Sequence, residues 1–134
     1  MDERISPAAI ASRLGTQIIG RRLEVHEQID STNIRATELA RQGAAEGTLV
    51  LAEQQTQGKG RLGRQWLAPA GSSLLMSLLL RPALALPQIH RVTMICSLAI
   101  VEATARVAGL RASIKWPNDV TIGGKKVAGI LTEA

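Results

Sequence analysis

The stretch from Gly58 to Trp66 reads Gly-Lys-Gly-Arg-Leu-Gly-Arg-Gln-Trp. It combines Gly58, Gly60 and Gly63 with the cations Lys59, Arg61 and Arg64, contains no acid, and closes on one of the chain's 2 tryptophans. Glycine admits positive φ angles and lets a backbone come close to a ligand. An arginine fork meets carboxylate or phosphate oxygens in bidentate fashion, and an indole offers a flat stacking face. These residue types suit a loop that closes over an anionic, partly aromatic ligand. Two phosphate-binding motifs are excluded. The glycines match G-x-G-x-x-G, but Gln65 to Gly71, with Pro69 inside it, is a poor helix start, and no acid lies about 20 residues further on. A Walker loop needs Ser or Thr after Gly-Lys, and Gly60 stands there.

The elements that must position this loop can be read in order. Ser6-Pro7 caps a short helix over Ala8 to Leu14, with Gly15 past its end. Arg22 to Ile29 alternates as a strand, with Leu23, Val25 and Ile29 on one side. Asp30-Ser31-Thr32-Asn33 supplies four capping or turn residues, and the helix behind them runs to about Gln42 and Gly43. Thr48 to Glu53 is a buried strand that delivers the chain to the glycine loop. The near-continuous leucines of Ser73 to Leu80 predict a strand covered on both faces. Pro87 to Leu110 is the longest helix; Ile89, Val92, Ile95, Cys96, Ala99, Ala103 and Val107 form a 3.6-period stripe that predicts a core helix packed on the sheet. Ser113 to Trp116 is a strand ended by Pro117-Asn118-Asp119. Val120 to Ile122 and Lys126 to Ala128 form a hairpin about Gly123-Gly124, and Gly129 to Ala134 continues its second arm. The strand ending in mid-run reads as a truncation that leaves an unpaired edge, which invites association such as a homodimer. The alternation gives an α/β or α+β fold, with a mixed β-sheet flanked by helices.

Composition bounds the rest. The 134 residues make one small domain at most. The core is aliphatic, since 46% of residues are hydrophobic and Phe and Tyr are absent. A net charge of +5 suits an anionic partner. The basic residues neither interleave with aromatics nor stack along one helix face, so nucleic-acid binding is not the main function. A single cysteine, Cys96, excludes a disulfide scaffold and fits a reducing compartment. The polar N-terminus is no signal peptide. The most apolar long segment carries His90, Arg91, Glu102 and Arg106, and so is no membrane span.

Three separated stretches then align with one family: Asp30-Ser31-Thr32-Asn33; Ala52 through Gly58-Lys59-Gly60-Arg61-Leu62-Gly63-Arg64-Gln65-Trp66; and Lys115-Trp116-Pro117-Asn118-Asp119-Val120 followed by Lys126-Val127-Ala128-Gly129-Ile130-Leu131. In this order and spacing, over roughly residues 20 to 134, they resemble the catalytic domain of biotin–protein ligases, of class II synthetase-like fold. The resemblance implies a cytoplasmic enzyme that uses biotin and ATP with Mg2+. The biotin carboxylate attacks the α-phosphate to give biotinyl-5'-AMP and pyrophosphate. A lysine of the biotin carboxyl carrier domain of acetyl-CoA carboxylase, or a related carboxylase, then displaces AMP.

By that resemblance, Lys115 and Arg61 are catalytic. Lys115 meets the biotin carboxyl oxygen and the α-phosphate. Step one joins two anions, so fixed cations are the expected means of lowering its barrier. Ser31, Thr32, Asn33 and Gln55 offer the donors and acceptors that a neutral ureido ring needs; Ser31 and Thr32 can also cap the helix. Lys59, Gly60 and Arg61 close over biotin. Gly58, Arg61, Arg64, Trp66 and Lys115 serve ATP or the adenylate, with Trp66 by the adenine. Gly60 is expected to use φ angles that only glycine tolerates. No residue is assigned to hold a metal, and His26 and His90 are surface or packing residues.

The chain departs from the family in having Lys59 where arginine is usual, which turns a bidentate contact into a point charge. The 30 residues before Ser31 are too few for the DNA-binding helix-turn-helix of some members, so neither a repressor role nor DNA binding is expected. The family's later strands, a further Gly-rich segment and a C-terminal barrel do not follow Ala134. Two alternatives accompany this reading. One is a lipoate– or octanoate–protein ligase, against which the polar Ser-Thr-Asn and Gln55 argue. The other is a non-catalytic biotin- or adenylate-binding fragment.

Overall fold

The computed structural model describes residues 4–134. They form two compact units: one holds the chain up to Lys59 together with Gly63–Pro82, the other Gly60–Leu62 together with Ala83–Ala134. The α/β character stands, and the strands divide between two three-stranded sheets.

In the first unit, helix α1 (Pro7–Arg13) starts as its capping residues predict, with Ser6 Oγ accepting from the Ala9 N–H. Strand β1 (Leu23–Ile29), helix α2 (Thr32–Arg41) and strand β2 (Leu49–Gln55) make a parallel β-α-β unit. Ser31 is the N-cap of α2, and Gly43, at φ 83°, lies just past its last turn. Strand β3 (Leu75–Leu78) pairs antiparallel with β2, so the sheet is mixed, in the order β1-β2-β3. Leu39, Ala44 and Val50 form its core, with Ala36 packed against them.

The leucine run differs from expectation. Leu75, Ser77 and Leu79 are buried, whereas Leu74 and Met76 are exposed. β3 is thus a half-buried strand with the two-residue alternation of a one-sided sheet. Leucine on both faces suggested cover that the chain does not provide.

The second unit contains helix α3 (His90–Ala108) and an antiparallel sheet of β4 (Ser113–Lys115), β5 (Asp119–Ile122) and β6 (Lys125–Gly129). Gly123 and Gly124 both have positive φ, as a two-residue turn between right-twisted strands requires. The second arm ends at Gly129; residues 130–134 are not strand, and Ile130 is instead held by Asn118. α3 also departs from its predicted packing. Ser97 is its one fully buried residue, while Ile95 is 64% and Val107 88% exposed. Its inward side runs through Thr93, Ser97 and Thr104, whose hydroxyls bond Thr132, the Thr93 carbonyl and the Ile100 carbonyl. Small hydroxyl residues that bond locally let a helix lie close to a sheet. Periodicity finds an apolar stripe but does not say whether anything covers it. Cys96 is half-buried, and burial pushes its thiol pKa up, which keeps it protonated.

One ion pair ties α2 to β1. Arg35 Nε and Nη2 each donate to a Glu24 carboxylate oxygen at 2.8 Å. This bidentate bond holds the Glu24 pKa down from its ordinary 4.5 to about 2, against the desolvation that would raise it. A depressed carboxylate stabilises the fold above the unfolded value, and that contribution is lost as pH falls toward the folded value. The melting temperature should therefore decline from about pH 4.5 to pH 2. Arg35→Met should lower it at pH 7 and shrink that decline. An Arg35→Met protein with the full parental acid slope would show that other carboxylates set it.

Candidate functional site

The first unit brings the predicted neutral polar residues together. β1 ends at Ile29 opposite Gln55, the last residue of β2, so the start of α2 and the start of the glycine loop leave the same end of the sheet. Gln55 Oε1 accepts two bonds from Thr32, one from the backbone N–H at 2.8 Å and one from the hydroxyl at 3.0 Å. A backbone N–H can only donate, so the amide orientation of Gln55 is fixed, with its NH2 directed away. Ser31 and Asn33 flank Thr32. Ser31 Oγ accepts from the Ile34 N–H at 3.5 Å, so Ser31 does cap the helix. Thr32 does not cap it, because its hydroxyl is committed to Gln55.

Sequence reading missed Ser77. It lies on β3, buried, with Oγ 2.7 Å from Thr32 Oγ1 and in hydrogen-bond contact with the Asn33 side-chain amide. The signal available was a lone polar residue between Leu74-Leu75-Met76 and Leu78-Leu79-Leu80.

The glycine loop is stapled at its base. The Trp66 N–H donates to the Gly58 carbonyl at 2.9 Å, and Lys59 bridges to Gln65. A Cβ on Gly58 would stand 2.5 Å from the Trp66 carbonyl oxygen and 3.0 Å from Gln55 Nε2, so this position must lack a side chain. Positive φ occurs at Leu62 (58°) and Gly63 (72°). Gly60 is not among the positive-φ glycines, which corrects the expectation of a glycine-only φ there. Lys59 and Arg64 are exposed on the loop and Trp66 is half-buried at its base.

Gly60 and Arg61 belong to the second unit, as does Lys115. Arg61 lines a pocket of about 160 Å³ with His90, Thr93, Trp116, Asn118 and Thr132 among its walls, and no carboxylate lines it. Trp116 is 67% exposed there. Asn118 fixes the turn that carries it: its carbonyl accepts from the Ile130 N–H at 2.9 Å, and its Nδ2 donates to the Ile130 carbonyl at 3.1 Å. Lys115 is exposed at the end of β4, directly across from Asp119. Asp119 in turn holds Lys126 of β6, with Nζ 3.0 Å from Oδ1. Lys126 is a second residue that sequence reading did not single out; its signal was an acid seven positions upstream, which the Gly-Gly turn brings to the adjacent strand, diagonal to it. Among the described residues no group of His, Cys, Asp and Glu could hold a metal ion, and no helix is long and apolar enough to cross a membrane.

The first unit thus sets a neutral polar cluster at the root of a cationic glycine loop. A sequence model of the Biotin/lipoate A/B protein ligase family matches residues 25–134. The chain belongs to that family. It is 42% identical over 130 residues to the Bifunctional ligase/repressor BirA of Bacillus subtilis, covering 97% of this chain and 40% of that protein. It is 34% identical to the Biotin--[acetyl-CoA-carboxylase] ligase of Mycobacterium tuberculosis, covering 98% of this chain and 53% of that one. Among solved structures, the biotin protein ligase from Aquifex aeolicus in complex with biotin and ATP superposes with a TM-score of 0.73 at 36% identity, over 85% of this chain and 47% of that one. The chain thus spans about half or less of the length of these relatives.

The loop base gives a direct check. Gly58→Ala should open the Gly58–Trp66 contact and speed trypsin cleavage after Arg61 and Arg64 several-fold, since local opening governs proteolysis. Unchanged cleavage would mean that the contact does not hold the loop.

Proposed function

We propose that the chain is the part of a biotin–protein ligase that binds biotin and ATP and forms biotinyl-5'-AMP, from which biotin passes to a lysine of a biotin carboxyl carrier domain, as in acetyl-CoA carboxylase. The observation that carries this is the Thr32–Gln55–Ser77–Asn33 cluster at the root of the cationic loop. A ureido ring is neutral and both donates and accepts hydrogen bonds, and amides and hydroxyls match it. The acyl chain of lipoate or octanoate can neither donate nor accept hydrogen bonds at such groups. This disfavours the ligases of those acids.

In the first step a biotin carboxylate oxygen forms a bond to the α-phosphorus while the bond to the β-phosphate oxygen breaks, and pyrophosphate leaves. No general base is needed, because the nucleophile is already ionised. The requirement is a fixed positive charge where two anions meet. Arg61, Arg64 and Lys59 supply it from the loop, and Trp66 offers a face to the adenine. Resemblance assigns the central contact to Lys115. Lys126 is also exposed and its charge is offset by Asp119, so Lys115 at the end of β4 keeps the assigned role. Mg2+ would be carried by the nucleotide phosphates, since hard oxygen ligands and water satisfy it without a protein cage. In the second step the carrier amine attacks the acyl carbon, loses a proton, and AMP departs. A homodimer is a further proposal: among the described residues β6 has one strand neighbour, β5, and an edge strand invites pairing.

Biotin-dependent exchange of labelled pyrophosphate into ATP tests the reading. Exchange is expected, and Lys115→Ala should lower its rate at least about 10²-fold, in line with the loss of a fixed charge where two anions meet. A near-parental exchange rate in Lys115→Ala would remove that role from Lys115. Biotin binding without exchange would identify a binding fragment, and neither binding nor exchange would contradict the proposal.

A further inference from the structure

Sequence reading leaves His90 as a surface or packing residue, yet in the second unit it shares the walls of a pocket with Arg61. The imidazole there is oriented. Its Nδ1 lies 3.1 Å from the Pro87 carbonyl oxygen. A carbonyl only accepts, so Nδ1 carries a proton and Nε2 is the nitrogen left for another partner. Two further walls are held in place. Thr93 Oγ1 and Thr132 Oγ1 lie 2.7 Å apart; one proton serves that bond, and the second hydroxyl proton is not used by it. Asn118 bonds Ile130 through both its carbonyl and its Nδ2.

Charge selects the kind of occupant. The Arg61 guanidinium is always charged. Asp119 and Glu133, the acids next in sequence to the wall residues Asn118 and Thr132, are not among the walls, and Asp119 is paired with Lys126. A permanent cation, an oriented ring nitrogen and a hydroxyl proton, with no carboxylate beside them, suit an anion that offers several oxygens. Volume limits its size. A whole nucleotide, as a drug-sized ligand, asks for about 300 Å³ or more. The pocket holds about 160 Å³, close to the roughly 150 Å³ of a cavity that takes benzene. Pyrophosphate is an anion of that order, and it is the one that the proposed first step sets free.

We infer that this pocket binds pyrophosphate, the leaving group of adenylate formation, and that His90 Nε2 and Arg61 grip its phosphate oxygens. A phosphate oxygen accepts, so Nε2 meets it as an N–H and the ring is protonated while the pocket is occupied. The inference rests on the ligase reading above and goes beyond it by giving the leaving group a site and His90 a role.

The test is calorimetric titration of the whole chain with inorganic pyrophosphate and, separately, with biotin. The parent should bind pyrophosphate saturably at one site. His90→Gln should bind it about tenfold more weakly, the ordinary worth of one hydrogen bond to a charged group, while biotin affinity stays within about twofold. His90→Arg restores a permanent charge and should return pyrophosphate affinity to within about threefold of the parent. A parent that does not bind pyrophosphate, or a His90→Gln protein that binds it as the parent does, would overturn the proposal. So would a His90→Arg protein as weak as His90→Gln, which would mark His90 as a packing residue. Equal losses of pyrophosphate and biotin binding would overturn it as a structural effect. Should His90→Gln not melt cooperatively, the parental titration and His90→Arg decide. The two readings fail separately. Biotin binding without pyrophosphate binding would keep the ligase reading and remove the pocket's role. Pyrophosphate binding without biotin binding would refute the ligase reading, and with it the leaving-group assignment, while leaving the anion pocket intact.

Discussion

The local geometry of the first unit depends on one acceptor, Gln55 Oε1, which takes both hydrogen-bond donors of Thr32. That pair of bonds joins the first residue of α2 to the last residue of β2, positions 23 residues apart in sequence. It fixes where the glycine loop departs and which way the Gln55 amide points. The amide nitrogen then lies so close to Gly58 that a Cβ would come within 3.0 Å of it, and the Trp66 carbonyl closes on the same glycine. Buried polar groups are stable only when satisfied, and among the described residues no buried side-chain polar atom lacks a partner. Side chains already held by such bonds have less freedom left to lose if a ligand binds there.

The two units hold different chemistry. The cluster of the first is neutral and buried, suited to recognition by shape and hydrogen-bond polarity. The second holds the paired Asp119–Lys126, the exposed Lys115, and a pocket lined by Arg61 and His90 with no carboxylate. The cationic loop belongs to both, since Lys59, Arg64 and Trp66 lie in one unit and Gly60 and Arg61 in the other.

What could be read from sequence was mostly local. Ser6-Pro7, Ser31 and the Gly123-Gly124 turn act through bonds within a few residues, and each took its predicted place. The glycine loop and the Ser-Thr-Asn turn were visible as chemistry because their residue types have few other uses in such density. Long-range facts were harder. Ser77 gains its meaning from Thr32 and Asn33, more than 40 positions away, and in the sequence it is one serine among leucines. Lys126 resembled any hairpin lysine until the turn set it against Asp119. The stripe on α3 was real as a pattern, yet Ile95 and Val107 are exposed, because periodicity reports what a helix offers and not what covers it. Gly60 was the natural choice for backbone freedom by composition; the structure places the steric demand at Gly58 and the positive φ at Leu62 and Gly63.

Trp66 and Trp116, the chain's 2 tryptophans, lie at the loop base and in the Arg61 pocket. Intrinsic tryptophan fluorescence during a biotin titration, with lipoate as the control acid, therefore reports on the site most directly. A saturable change with biotin and none with lipoate is the result that the proposed biotin reading predicts, because a ureido ring can pair with amides and hydroxyls and an acyl chain cannot. A response to lipoate equal to that of biotin, or no response to biotin from a protein that melts cooperatively, would contradict a ureido-selective site built from these residues.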